Sequence, residues 1–488
     1  MTKHFAKYLK TVVMATAWAV TFLSCNKDSD NGNNNQAVND WILDNMSLYY
    51  LWEKHLPART DKSLSPDAYF ESLLYKDDRF SWIQDNYIEL INLLAGVVKE
   101  AGYDYGLRRM SNSETDVIGY ITYVKPGSPA QQAGLQRGDL FRTVNGQQLT
   151  IHNYGTLTDE MGANHTLRLI KQDGESIEKT LTVVEYKENP ILLDTIYTRE
   201  DKKIGYLVYN FFASDNNDGT MRYDKQLNEV FGRFIEEGVN ELILDLRYNS
   251  GGSLLSSITL AGMISNCTSQ DLFSIEQFND IWSPYLREAY IEEYGKAHAD
   301  DYNKDYFMDS ITRKNNGKKV EEVPIRHLGV ERLYVLTSYR TASASELLIN
   351  ALNPYLNNNI ILIGDVTVGK NVGSLTFYEE NAVKQQTNKW GMQPIVVKIA
   401  NKDGYSDYGQ GFTPDVEVDE LAEGSLKPLG DTEELMLKTA LDHIAGAIIP
   451  TRKSLERWKN IGSSADRVKA RGNIIIRQEE TLLYKKKE

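Results

Sequence analysis

"RLYVLTSYRTASASELLINALNPYLNNNIILIGDVTVGK", residues 332–370, is the stretch whose reading decides the fold. It opens on an apolar run, "RLYVLTS", and then gathers small hydroxyl residues. "SASELLINAL" follows with apolar residues at helical spacing, and "NIILIGD" is a second apolar run. Strand, helix and strand in that order imply two parallel neighbours joined by a crossover helix. The same alternation stands upstream. "KIGYLVYNFF" (203–212) reads as a strand, "MRYDKQLNEVFGRFIEEG" (221–238) as an amphipathic helix ended by Gly238, and "ELILDLR" (241–247) as a buried strand. Residues 195–425 are therefore expected to form an α/β core with a largely parallel sheet.

Open α/β sheets carry their sites at the carboxyl ends of the strands. Ser343 should sit there, at the N-terminus of the helix that follows "RLYVLTS". That position offers free backbone N–H groups and positive potential, both favourable to an oxyanion. Ser343-Ala-Ser-Glu346 is equally a capping box, so the serine is read either as a cap or as a nucleophile. A nucleophilic serine needs a base. All seven histidines lie outside the strand–helix–strand unit. A neutral lysine can serve if burial lowers its pKa by roughly 3 units, about 4 kcal/mol against the charged form. Lys370 follows the second apolar strand on a glycine-bearing turn, which brings it to the same sheet edge as Ser343. The two form a candidate Ser–Lys dyad. "GDVTVGK" also matches a phosphate-binding loop, but Asn371 stands where Ser or Thr would hold magnesium, and "VGSLTFY" reads as strand.

At 488 residues the chain is long enough for two to four domains. Its net charge of −14 argues against nucleic acid as a partner. Lys3, Lys7 and Lys10 precede an apolar stretch at Val12–Leu23 that is too short to span a bilayer, the pattern of a secretory signal. "FLSC" resembles a bacterial lipobox, which implies cleavage after residue 24 and lipid on Cys25. Losing residues 1–24 removes three lysines and no acid, taking the charge to −17. "NKDSDNGNNNQ" then reads as a polar tether over 25–37, and Cys267 remains as a small buried hydrophobe. The expected location is the cell envelope, with the lipid as membrane anchor.

Residues 38–100 carry apolar side chains at helical spacing (Val38, Trp41, Ile42, Tyr49, Trp52) and are expected to form a small helical domain. Residues 267–330, polar and Tyr-rich, read as an insertion over the site. Residues 430–488 begin with a helix and end in a basic tail, where 11 Lys and Arg outnumber 5 Asp and Glu from Thr451 onward.

Residues 101–190 resemble a PDZ domain, on the phrase "GSPAQQAGLQRGDLFRTVNGQQL". The resemblance implies capture of a peptide C-terminus by strand addition at a sheet edge, with "YDYGLRRM" as the carboxylate loop around Tyr105, Gly106 and Leu107. A PDZ domain used only as a structural hinge is the alternative.

The PDZ-like segment, "LILDLRYNSGG", "TASASELL", "GDVTVGKNVGS" and "GQGFTPDVEV" come in one order over residues 101–420. The chain in this respect resembles the C-terminal processing peptidases, the tail-specific or tricorn-like S41 serine proteases. That resemblance implies a crotonase-like α/β core, Ser343 as nucleophile and Lys370 as base, with no metal or cofactor. It also implies an oxyanion hole built from the backbone of Gly251 or Gly252 and of Ala344. Asp245 and Arg247 would pair to hold the turn. Ser374 stands where many relatives have a glutamine, and Glu346 either assists the site or only caps the helix. The implied activity is endoproteolysis of unfolded or C-terminally exposed polypeptides presented by the PDZ domain. The competing readings are a catalytically inactive surface lipoprotein that holds peptides or glycans, and a nucleotide hydrolase.

Overall fold

The computed structural model describes residues 30–447, apart from 111–112, 316–317, 381–385, 423 and 425, together with 460–464 and 474–476. The leader, Cys25, the first part of the tether and most of the basic tail lie outside the described residues.

The N-terminal helix runs over Asp30–Tyr49, so it starts inside the stretch expected as a tether. Val38, Ile42 and Met46 recur every four residues and bury one face against Tyr50, Tyr69, Phe70 and Leu73. This region is less helical than its pattern suggests. Trp82–Gln84 is a strand paired with Gln386–Gln393 of the core, and Val97–Glu100 pairs with Val184–Lys187. Both are segments of three or four residues, too short to show a period, whose strand or helix state is settled by a distant partner.

The expected PDZ region contributes six strands to one sheet, Tyr103–Arg109, Val117–Val124, Leu140–Val144, Gln147–Gln148, His165–Ile170 and Ser176–Leu181, with helices at Pro129–Gln132 and Tyr154–Glu160. Gly134 closes the first helix with φ +81°.

The α/β core is built as the alternation predicts. One six-stranded sheet runs in the order Ile191–Arg199, Lys202–Tyr209, Glu241–Asp245, Leu333–Thr337, Ile360–Gly364, Val416–Glu417, with only the first pair antiparallel. Alternate residues divide between its faces. Leu207, Leu242, Leu244, Leu333 and Val335 pack on the Arg222–Glu236, Leu254–Ile264 and Ala344–Leu352 helices. Ile204, Tyr206, Ile243, Tyr334 and Leu336 pack on Leu435–Ile444, so the helix read as a separate C-terminal segment is the core's second layer.

A second six-stranded sheet lies in the order Gly251–Ser253, Ile474–Ile476, Val372–Ser374, Ile395–Ala400, Leu272–Phe278, Lys304–Tyr306. The 267–330 segment is thus partly structural: its first strand pairs antiparallel with Ile395–Ala400.

Buried ion pairs join the PDZ-like region to the core. Arg137 donates to Thr122 O and Lys427 O and pairs with Glu420 at 3.1 Å. Arg340, three residues before Ser343, pairs with Asp104 at 3.3 Å.

Candidate active site

Leu333–Thr337 delivers the chain to the rim of the parallel sheet, and the helix Ala344–Leu352 leaves from it. Ser343 makes the junction with φ +62° and ψ −114°, a backbone state that costs a residue with a β-carbon roughly 1–3 kcal/mol. The surroundings hold it there. Leu347 N–H donates to Ser343 O at 2.7 Å, and Ala342 N–H and Ser345 Oγ both donate to Asn249 O at 3.1 Å. The spacing of a capping box is present, but its firm hydrogen bond is the reciprocal one, Ser343 N–H to Glu346 Oε2 at 2.8 Å. The Ser343 hydroxyl is wholly buried and, beyond a loose approach to the N–H of Glu346, finds no hydrogen-bond partner among the described residues. A hydroxyl left unpaired in the interior is costly, and here it stands at a helix N-terminus.

Asn249 ties this junction to the glycine turn. Its Nδ2 donates to Tyr209 O and its Oδ1 accepts Gly251 N–H, each at 2.8 Å. The Gly251 N–H is thereby committed, which removes it from the expected donors and leaves Gly252 and Ala344. Gly252 has φ +137°, and a β-carbon there would stand 2.1 Å from Phe212 O. Only glycine fits that approach.

Glu346 is the hub. Its Oε1 accepts from Thr367 Oγ1 (2.5 Å) and Gly369 N–H (2.6 Å), and its Oε2 accepts from Ser343 N–H and Lys370 N–H, both at 2.8 Å. One oxygen therefore bridges the backbones of Ser343 and Lys370, whose nitrogens lie no further apart than twice that length. Burial pushes the Glu346 carboxyl up, and these four hydrogen bonds oppose it. A helix cap alone would not need partners on the lysine loop.

Lys370 is fully buried, and burial holds its pKa down to about 7, while Asp78 and Glu346 pull weakly the other way. Part of its cover comes from the N-terminal domain, which no sequence pattern connects to the site. The Phe80 ring lies 5.1 Å below Nζ. Arg79 donates to Gly369 O (3.0 Å) and Gly409 O (3.1 Å), and Ser81 Oγ accepts Ile395 N–H at 2.8 Å. Asp78 caps this segment by accepting from Phe80 N and Ser81 N, each at 2.9 Å.

Ser374 does not stand alone where the resemblance expects a glutamine. Its hydroxyl donates to Gln393 Oε1 at 2.7 Å, and Gln393 is itself buried. The glutamine arrives from a different strand, so no local spacing could have revealed it. Asp245 and Arg247 pair as expected, with two contacts of 3.0 Å from Nε. Glu434, the cap of the Leu435–Ile444 helix, completes that pair with Arg247 at 2.6 Å and was not foreseen. Arg247 holds the Glu434 carboxyl down at about 2.

Tyr105, Gly106 and Leu107 lie in the Tyr103–Arg109 strand rather than in a loop, and all three are buried. Gly106 is needed because the Tyr120 ring crosses it, 2.2 Å from where a β-carbon would stand. The outer edge of the strand is not open: Asn460–Ser463 pairs with it. Cys267 is buried with its thiol pushed up by burial, which leaves it unreactive. Among the described residues no group of His, Cys, Asp and Glu could hold a metal ion.

Residues 203–418 match peptidase family S41, residues 37–82 the peptidase S41 N-terminal domain, and residues 120–180 a PDZ domain. A Staphylococcus aureus protein assigned as a CtpA-like serine protease is 24% identical over 324 residues, 64% of this chain and 52% of its own length. This chain thus spans about half of that relative. The carboxyl-terminal-processing protease of Synechocystis is 23% identical over 86% of both chains. Among solved structures, a Bacteroides fragilis chain assigned to the S41 proteases is 26% identical, with a TM-score of 0.63 over 88% of this chain and 99% of its own.

Proposed function

We propose that this chain, whose residues 203–418 and 37–82 match peptidase family S41 and its N-terminal domain, is a serine endopeptidase of that family working through Ser343 and Lys370. The observation that carries the proposal is a lysine with no exposed surface, poised near neutrality, whose backbone shares one carboxylate oxygen with the serine. In this reading Lys370 takes the Ser343 proton and Oγ attacks the scissile carbonyl. The amides of Gly252 and Ala344 receive the oxyanion, a type of contact worth about 10²–10³ in rate. Lys370 then returns the proton to the leaving amine, and water, activated the same way, hydrolyses the acyl-enzyme. The core is taken as crotonase-like, and the substrates as unfolded or C-terminally exposed polypeptides.

Glu346 is a positioning residue here. It touches no reacting atom but fixes both backbones. Asp78–Ser81 makes the N-terminal domain part of the site by excluding water from Lys370.

Export and lipid attachment at Cys25 belong to the same proposal, resting on the sequence pattern. The test of the catalytic core is degradation of an unstructured protein by the purified chain. Ser343→Ala and Lys370→Ala should each abolish it with the far-ultraviolet spectrum unchanged. Full activity of Ser343→Ala would reassign the nucleophile.

A further inference from the structure

Two short pieces of the C-terminal tail are built into the molecule at functional edges. Asn460–Ser463 adds antiparallel to Tyr103–Arg109, with Asn460 opposite Arg108, Gly462 opposite Leu107 and Ser463 opposite Gly106. Ile461 packs on the PDZ core, and Ser464 Oγ accepts Tyr105 N–H at 3.2 Å and bonds to Asp104. These are the residues expected to hold a peptide ligand. Further on, Ile474–Ile476 runs parallel to Gly251–Ser253, with Gly251 opposite Ile474 and Ser253 opposite Ile476. On its other side Ser374 lies opposite Ile476.

Without this tail strand, Gly251–Ser253 and Val372–Ser374 face each other across the width of one strand. Adjacent strands lie about 4.8 Å apart, so the slot is about 10 Å wide and admits a single extended chain. The slot has two walls. One carries Gly252, a candidate oxyanion donor; the other begins two residues after Lys370. A main chain held there is presented to the proposed catalytic groups.

We propose that this slot and the edge of Tyr103–Arg109 belong to one peptide track, and that the chain's own Asn460–Ser463 and Ile474–Ile476 occupy it in cis. The inference rests on the peptidase reading for its catalytic consequence but not for the occupancy itself. The tail meets the PDZ edge first and the slot second, so the PDZ edge holds an internal segment and not a free carboxylate. Main-chain pairing, on one side of Asn460–Ser463 and on both sides of Ile474–Ile476, explains how the pieces are held without a side-chain code. The nine residues between the two pieces can span up to about 30 Å when extended. Asp104 also binds Arg340 of the Ser343 junction, so one carboxylate contacts both the bound tail and the catalytic loop.

A tethered segment competes at an effective concentration near ~1 mM, and against a weak peptide site of about 100 µM it would raise the apparent KM about tenfold. The test compares three proteins on an unstructured substrate: the full chain, the chain ending at Ala447, and the full chain with Ile475→Pro. Proline removes a ladder N–H from a strand enclosed on both sides. Both altered proteins should show KM lowered about tenfold, and a synthetic peptide of residues 458–478 should restore it competitively. Amide exchange is measured in parallel in a Ser343→Ala background. Gly251–Ser253, Val372–Ser374 and Tyr103–Arg109 should lose protection in both tail variants and regain it with the peptide. Protection unchanged in Ile475→Pro overturns the inference whatever the activity. Protection lost while no form cleaves anything upholds the track and refutes the peptidase reading instead.

Discussion

Replacing Lys370 by methionine should destroy activity and stabilise the fold, and the stabilisation should depend on pH. Lys370 is fully buried and its pKa falls from 10.5 to about 7. A shift of that size corresponds to roughly 5 kcal/mol between its charged and neutral forms, at 1.36 kcal/mol per unit. Below about pH 7 the amine is protonated in both the folded and unfolded chain, so the whole penalty opposes folding. Between about pH 7 and 10.5 only the unfolded chain holds the proton. Stability then rises with pH as the penalty shrinks. The penalty works out at about 4 kcal/mol at pH 7 and under about 1 kcal/mol at pH 10. Methionine is unbranched and apolar, close in volume to the lysine stem, and carries no charge to desolvate.

The assay is denaturant unfolding of the chain and its Lys370→Met variant, both in a Ser343→Ala background to prevent self-digestion, followed at pH 6, 7 and 10. Methionine should raise the midpoint clearly at pH 6 and 7 and hardly at pH 10. Equal stability at pH 7, or a gap that does not narrow at pH 10, would refute the claim that burial sets the state of this lysine. The active chain offers a companion readout. Its rate should climb with pH, reach half its plateau near the lysine's pKa of about 7, and stay level above it.

Phe80→Ala should admit water to Lys370 Nζ, raise its pKa and move the acid limb of the rate profile to higher pH; an unmoved limb would mean that the ring does not keep the amine dry. Glu346→Gln should destabilise by about 2–5 kcal/mol and lower kcat more than it raises KM, because both carboxylate oxygens face donors and an amide NH2 cannot accept from them. Thermal unfolding with steady-state kinetics checks both parts. Gly252→Ala should lose at least about 10²-fold in rate, since its β-carbon would press on Phe212 O and displace the proposed oxyanion amide.

The core was legible because its signals are local. Apolar strands, an amphipathic helix and the residues bounding them, Gly238 and Ser343, each lie in one continuous stretch. Ser343 and Lys370 could be paired because parallel neighbours joined by a crossover bring their carboxyl ends to one rim. What escaped depends on partners far along the chain. Gln393 reaches Ser374 from another strand, Glu434 reaches Arg247 from the cap of the C-terminal helix, and Phe80 reaches Lys370 from the N-terminal domain. Val97–Glu100 falls within the expected helical domain because two valines followed by Lys99 and Glu100 show no period of their own, and their strand partner lies beyond residue 180. Tyr105 and Gly106 were expected in a loop because the unusual "YDYGLRRM" hides a regular strand whose glycine answers to Tyr120.

Why Glu346 rather than a neutral cap stands at this helix follows from what must be held together. The serine junction adopts an unfavourable backbone state, and the lysine turn carries a buried amine. They follow the two neighbouring parallel strands that one crossover helix joins. A single carboxylate accepting from Ser343, Gly369 and Lys370 N–H satisfies three buried donors and couples the two loops rigidly. A serine or asparagine side chain could accept at one of these places but not at all. The arrangement has a further consequence. The carboxylate accepts from four donors, and its pull toward a protonated amine is outweighed by the burial of Lys370. The same residue thereby holds the lysine's backbone in place while burial keeps the amine near neutrality.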